Sequence, residues 1–409
     1  MKMLSRSILS ALLALPMAAA SLPVSKPEDV GLSSERLRRI NQMIQRRIDA
    51  GQLAGAVTLV ARRGRIAHFE AQGVADLESK KPMTKDSLFR LASMTKPVTG
   101  VAIMMLVEEG KVRLTDPVSR YIPEFRGIKV GVSQPGGTAT EPKFYTVPAE
   151  REITVRDLLI HTSGLGSGPM SSSELGKFPR KAGETLADFI PRYGATPLEF
   201  QPGSRWTYSP GAAFDTLGRI VEIASGVTFD RFLQQRIFSP LEMQDIFFYA
   251  PEDKKPRQAT IYQLRDGGLV KPDMPGRVGG EAYFSGAGGL IGTAAAYLPF
   301  GLMLANGGQL DGKRLLSPKT VEMMASPHAP DTLPGRAKGE AFGLSMRLIT
   351  DHAARVTALS DGSYGWSGAF GTHFWVDPKE KLVAILMVQT SNNEVSRDFE
   401  QAVMQSIVE

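Results

Sequence analysis

Ser93-Met94-Thr95-Lys96 sets a hydroxyl and an amine three residues apart, a separation that brings two side chains onto one face of a helix. It is the chain's only Ser-x-x-Lys. Such a tetrapeptide arises about once or twice by chance at this composition, so its surroundings decide its weight. Residues 98–107 are apolar on every side, the mark of a helix buried in the middle of a domain. Pro97 fits only if that helix begins just before it, near Ser93. Burial there disfavours the charged form of a lysine that lacks a carboxylate partner. The neutral amine can then take a serine's proton, the activation a hydroxyl nucleophile requires. A helix N-terminus adds a favourable field for developing negative charge. The tetrapeptide alone leaves open an ordinary serine beside a lysine that snorkels to the surface.

Two further segments bear on that choice. Trp206-Thr207-Tyr208-Ser209-Pro210-Gly211 precedes a helical pattern, and Tyr364-Gly365-Trp366-Ser367-Gly368-Ala369 precedes a strand-like one. In order and interval, the three segments resemble the serine β-lactamase and D-Ala-D-Ala peptidase superfamily, above all class C β-lactamases and family VIII carboxylesterases. Ser93-Met94-Thr95-Lys96 is similar to the first motif, Tyr208-Ser209-Pro210 to the Tyr-x-Asn motif, and Trp366-Ser367-Gly368 to the Lys-Thr-Gly motif. Residues 109–118, 153–165, 285–290 and 375–378 fit as well, so the resemblance covers nearly all of the chain beyond its first twenty residues. It implies Ser93 as nucleophile, with Lys96 and Tyr208 sharing the general-base work. It also implies an oxyanion hole from the backbone N–H groups of Ser93 and Ala369, and substrate contacts from Trp366, Ser367 and Gly368. Tyrosine ionises near 10, so Tyr208 would need Lys96 beside it to act as a base.

The departures from the pattern bear on substrate. Trp366 stands where a positive Lys, or sometimes His, meets a substrate carboxylate, and it offers an apolar wall with one N–H. Pro210 replaces an Asn and has no side-chain amide. Both changes suit a neutral ester over an anionic amide, so the expectation is a carboxylesterase for short- or medium-chain esters, a small-molecule partner, and no cofactor. A β-lactamase or D-Ala-D-Ala carboxypeptidase-like enzyme is the alternative, and a non-catalytic ligand-binding member of the fold the second. Acyl transfer to an alcohol would look the same in sequence.

Other chemistries find less support. The five histidines, His68, His161, His328, His352 and His373, include none in a Gly-x-Ser-x-Gly elbow; Gly365–Ala369 is a near miss without the strand-elbow-helix context. His161, before Thr162-Ser163-Gly164-Leu165, reads as structural. No paired histidine spacing suggests a metal. Gly164-x-Gly166-x-Gly168 lacks the flanking strand and helix of a dinucleotide site. Met104-Met105 and Met323-Met324 read as core filling.

The elements that must position these residues follow from periodicity. Ser33 is placed to cap a helix carrying Leu37, Ile40, Ile44 and Ile48, closed by Gly51. Residues 56–61 and 65–70 read as strands joined by Arg63-Gly64. Residues 373–376 and 382–390 read as strands around a turn at 377–380, and a last helix carries Phe399, Val403 and Ile407. Strands at both ends with helices between them predict an α+β fold, β-lactamase-like, with an antiparallel sheet flanked by terminal helices. Residues 21–84 and 286–409 would form that α/β lobe, and 85–285 a mainly helical lobe. Residues 127–150, 166–183 and 251–280 read as loops and candidate pocket walls.

With 409 residues the chain exceeds the ~250–300 at which single cores usually split. Its formal net charge of +6 is spread without a basic run, which argues against nucleic-acid binding. The absence of cysteine excludes disulfides, thiol nucleophiles and thiolate metal sites. Lys2 and Arg6, an apolar run over 8–15, and Ala18-Ala19-Ala20 lay out a signal peptide over residues 1–20. The apolar run is too short to span a bilayer, so the expected location is periplasmic or secreted, with no stable membrane anchor after signal removal.

Overall fold

The computed structural model describes residues 23–266, 268–273 and 280–409, so the signal peptide expected over residues 1–20 lies outside the described residues. An antiparallel sheet of eight strands runs in the order Glu340–Phe342, Arg347–Ile349, Tyr364–Ser367, His373–Asp377, Leu382–Met387, Gly55–Arg62, Arg65–Asp76 and Lys81–Pro82. Strand Gly55–Arg62 pairs on one side with its hairpin partner Arg65–Asp76 and on the other with Leu382–Met387, where Leu59 faces Ile385. All eight of its residues are buried because both faces of the sheet are covered. Val60, Ala384, Leu386 and Trp375 face the terminal helices Ser34–Asp49 and Asn393–Met404, whose Ile40, Ile44, Phe399 and Val403 complete that layer. Val57, Leu59, Val383, Ile385 and Phe374 face the other way, into the large core shared with the helices between. This is the α+β, β-lactamase-like class expected from the sequence. Ser33 caps the first helix as anticipated, its hydroxyl accepting the Arg36 N–H at 3.2 Å.

The Ser93 helix crosses the middle of that core. A 3-10 turn, Ala92–Met94, leads into Thr95–Glu108, which is buried from Thr95 through Leu106. Ala92 takes a left-handed φ of 47°, a strained conformation for a residue with a Cβ, directly before Ser93. Tyr297, on helix Ala294–Ala305, donates its hydroxyl to the Met94 carbonyl at 2.8 Å and fixes that first turn.

The three stretches read as loops are more ordered than expected. Residues 127–150 contain a hairpin, Lys129–Ser133 with Phe144–Pro148. Helix Pro169–Gly176 lies within 166–183, and a short hairpin, Gln263–Arg265 with Gly268–Val270, within 251–280, part of which lies outside the described residues. These elements are short and bury few side chains, so turn residues dominate their composition and hide the strand alternation.

Gly100 is where the Ser93 helix touches the turn between Glu340–Phe342 and Arg347–Ile349. A Cβ there would sit 2.1 Å from Ser345 Oγ and 2.6 Å from Ser345 Cβ. Gly100→Ala is expected to cost about 1–3 kcal/mol as an overpacking change. Thermal melting measures it, and an unchanged Tm would show that helix and sheet separate freely at this point.

Candidate active site

Ser93 and Lys96 leave consecutive turns of one helix, and Tyr208 reaches them from the segment before helix Ala212–Ser225. Tyr208 Oη lies 2.6 Å from Ser93 Oγ, and Lys96 Nζ lies 3.2 Å from the same oxygen. Lys96 has no exposed surface. Its amine donates to the Pro210 and Ala287 carbonyls, both at 2.8 Å, and sits 5.0 Å from the Tyr208 ring centre. Burial lowers the Lys96 pKa from its ordinary value, against an opposing pull from Tyr208 and Asp215.

Each partner is braced in turn. Residues 286–290 are tied to the Ser93 helix, with Thr99 Oγ1 donating to Gly286 O at 2.7 Å and the Leu290 N–H donating to Thr95 Oγ1 at 3.1 Å. Asp215 holds the same segment from below. It accepts from Tyr283 Oη at 2.9 Å, Ser285 Oγ at 2.7 Å and the Ala287 N–H at 3.0 Å. Ala287, through its N–H on one side and its carbonyl on the other, therefore links the Asp215 carboxylate to the Lys96 amine. Burial raises the Asp215 pKa, while these hydrogen bonds and Lys96 oppose the rise. Sequence reasoning passed over Asp215; the only signal was an acid in the helix's first turn, among Ala212, Ala213, Phe214 and Leu217, seven residues after Tyr208.

His161 supports the tyrosine and does not touch Ser93. It is fully buried and left-handed at φ 58°, and its Nδ1 accepts the Ser209 N–H at 3.2 Å. Its ring packs 4.7 Å from that of Tyr208. Burial, then Lys96 and Arg336, hold its pKa well below the usual histidine value, so it stays neutral and able to accept.

Trp366 completes the aromatic wall, its ring 5.6 Å from Tyr208 and 5.0 Å from Phe342. Gly368 must be glycine, since a Cβ would meet Leu91 O at 2.4 Å and Thr372 Oγ1 at 2.1 Å. Thr372 Oγ1 donates to Leu91 O at 3.0 Å and stitches the end of strand Tyr364–Ser367 to the segment before Ser93. Ala369 follows on this stitched turn. Ser367 stands apart from the group named in the sequence. Strand alternation sends its side chain to the opposite face from Trp366, and its hydroxyl lies 2.8 Å from His373 Nδ1. Among the described residues no cluster of three metal-ligating side chains occurs, and no helix is long and apolar enough to cross a membrane.

A half-buried serine and tyrosine around a fully buried lysine on this sheet-and-helix frame agree with the comparison by family, in which a sequence model described as Beta-lactamase matches residues 40–409. The chain belongs to the beta-lactamase family. It is a serine hydrolase of the β-lactamase fold. Protein Rv1367c of Mycobacterium tuberculosis (strain ATCC 25618 / H37Rv) is 37% identical over 358 residues, covering 83% of this chain and 87% of that protein. Esterase EstB of Burkholderia gladioli is 32% identical over 406 residues, covering 93% and 96%. Among solved structures, EstCE1, described as a hydrolase with promiscuous acyltransferase activity, superposes with a TM-score of 0.75 at 26% identity, covering 90% of this chain and 99% of that one.

Asp215→Ala strands three donors, two of them side-chain hydroxyls and one the Ala287 amide. It is expected to cost about 1–3 kcal/mol of stability and to lower kcat by loosening the Ala287 carbonyl. Asp215→Asn, which keeps the shape, is expected to lose less of both. Melting curves and steady-state kinetics on the two variants test this; full kcat in a folded Asp215→Ala protein would show that the Lys96 cradle stands without the carboxylate.

Proposed function

We propose that the protein is a carboxylesterase that cleaves short- or medium-chain esters through an acyl-enzyme on Ser93. The observation that carries this reading is the uncharged Trp366 ring packed against Tyr208, at the position that is a lysine in the Lys-Thr-Gly motif this segment resembles. The names of EstB, an esterase, and EstCE1, a hydrolase, support it.

The chemistry follows from donor counting. A neutral amine has two N–H donors and one lone pair. The Pro210 and Ala287 carbonyls take both donors of Lys96 at 2.8 Å, which leaves the lone pair for the Ser93 hydroxyl at 3.2 Å. Lys96 accepts the Ser93 proton as Oγ attacks the ester carbonyl carbon. The carbonyl electron pair moves onto oxygen, where the amides of Ser93 and Ala369 receive it. Tyr208, hydrogen-bonded to Ser93 Oγ, passes a proton from the lysine side to the leaving alkoxide, and the C–O bond breaks. Water repeats the sequence in reverse and releases the acid.

Ser93→Ala is expected to lower ester kcat by about a thousandfold or more, and near-normal turnover in a folded Ser93→Ala protein would sink the assignment. Tyr208→Phe should lose about a hundredfold while keeping its ring contacts; a silent Tyr208→Phe would reduce Tyr208 to packing. Because Lys96 works only unprotonated, kcat/KM should fall as pH drops through its lowered pKa. A kcat/KM that stays level as pH falls from the ordinary lysine range down to the acid limit of stability would take Lys96 out of the base role. Parallel assays with p-nitrophenyl butyrate and a chromogenic cephalosporin test specificity: preferential β-lactam opening would replace the esterase reading with a β-lactamase one. Trp366→Lys should lower ester turnover and strengthen β-lactam binding.

A further inference from the structure

Gly365-Trp366-Ser367-Gly368-Ala369 falls short of a nucleophile elbow in sequence, yet the fold supplies its serine with two partners of the right kind. Ser367 Oγ is 2.8 Å from His373 Nδ1, and His373 Nε2 is 2.9 Å from Glu400 Oε1. The same carboxylate oxygen accepts Arg347 Nη2 at 3.0 Å. All three residues sit on regular elements. Ser367 and His373 are directly opposed across adjacent strands, and Glu400 projects from the C-terminal helix. The His373 ring lies 5.4 Å from that of Trp375 at an interplanar angle of 29°, which holds its plane.

Burial grades along this chain as a reactive serine requires. Glu400 and His373 are buried, at 8% and 1% exposure, while Ser367 is exposed. Burial pushes the Glu400 carboxyl up, but the hydrogen bond and charge of His373 and the Arg347 guanidinium outweigh it and hold it down at about 2. An ionised carboxylate thus orients a histidine whose other nitrogen meets a solvent-facing hydroxyl, the relation in which histidine acts as base for serine. The ring is used with Nδ1 toward the serine, the reverse of the serine-protease arrangement.

The hydroxyl opens on a cavity of about 610 Å3 whose lining includes Ser367, His373 and Glu400 together with Arg347, Arg355 and Arg397. None of Ser93, Lys96 and Tyr208 lines it; Trp366 does touch its edge, but strand alternation sends the Ser367 side chain to the face opposite the Trp366 ring. Three guanidinium groups against the carboxylates of Glu340 and Glu400 leave the cavity net positive.

We propose that Ser367, His373 and Glu400 form a second acyl-accepting site, separate from Ser93, that takes acyl groups from small polar esters. Ser367 Oγ attacks the ester carbonyl carbon and gives its proton to His373 Nδ1, while the carbonyl π pair moves onto oxygen in the positive field of the cavity. The intermediate collapses, the bond to the alcohol oxygen breaks, and that oxygen leaves with the proton from His373. Water, deprotonated by His373 in the same way, cleaves the acyl-serine and restores the hydroxyl. Glu400 stabilises the imidazolium in both halves and takes no proton.

The test uses the full chain carrying Ser93→Ala, treated with a fluorophosphonate probe and mapped by peptide mass spectrometry, with p-nitrophenyl acetate turnover measured alongside. The expected result is an adduct on Ser367 and slow residual turnover. Adding Ser367→Ala should remove both, and adding His373→Gln should slow both by about a hundredfold. Glu400→Gln, which keeps Ser367 and His373 in place, should slow labelling with Ser367 still the labelled residue. An unlabelled Ser367 in a protein whose melting temperature matches the parent overturns the proposal. So does labelling at an undiminished rate in a folded His373→Gln or Glu400→Gln variant, since it would show that the relay is only a structural hydrogen-bond chain.

Discussion

An amine with no exposed surface has to be either discharged or surrounded by acceptors, and the interior of this protein is arranged around that requirement at Lys96. Two carbonyls from distant parts of the chain converge on it, and each is held by its own support: Pro210 by the turn into helix Ala212–Ser225, Ala287 by Asp215 through the N–H of the same residue. Unpaired, a buried polar group of this kind costs several kcal/mol. The Ser93 helix, the segment before helix Ala212–Ser225 and residues 283–290 are therefore coupled, because moving any one of them uncovers the amine. Ser93 shares that coupling, lying within hydrogen-bond distance of both the amine and Tyr208.

Strand Tyr364–Ser367 serves two environments through simple alternation. Trp366 turns into the aromatic group around Tyr208, and Ser367 turns toward the C-terminal helix. Neighbouring residues in sequence thus belong to different layers of the molecule. A motif read as a contiguous string places them together, whereas the pleat separates them.

That contrast marks how far the sequence could be read. The sheet, its terminal helices and the family were legible because they rest on local signals: the cap at Ser33, the strand-like runs 56–61 and 65–70 joined by Arg63-Gly64, and three motifs in a fixed order. The Ser93–Lys96 spacing was legible for the same reason, since helix geometry alone sets it. The acceptors of the Lys96 amine were not, because Pro210 and Ala287 reach it through contacts of long sequence separation between backbone atoms, and a carbonyl leaves no trace in residue type. The Ser367–His373 pair was hidden similarly, since cross-strand register depends on the length of the turn between the strands. Hairpin Lys129–Ser133 with Phe144–Pro148 escaped because Gly136-Gly137 and the surrounding polar residues outweigh strands of only five residues each.

The central sheet is closed by a strand from the beginning of the chain that pairs with one from near its end, Leu59 opposite Ile385, while Leu32 bridges to Ile407 and Arg62 binds Glu380. On a ribosome the first hairpin waits, one edge unpaired, until strand Leu382–Met387 has been made. Loop-closure entropy is then met late and in one step, which makes folding slow and post-translational. The exposed edge in that interval is a template for pairing with other chains. Because Leu32 and Ile407 lie side by side, a linker joining those two positions, with a break placed in a surface turn, would give a permuted chain in which the closing strands are synthesised one after the other.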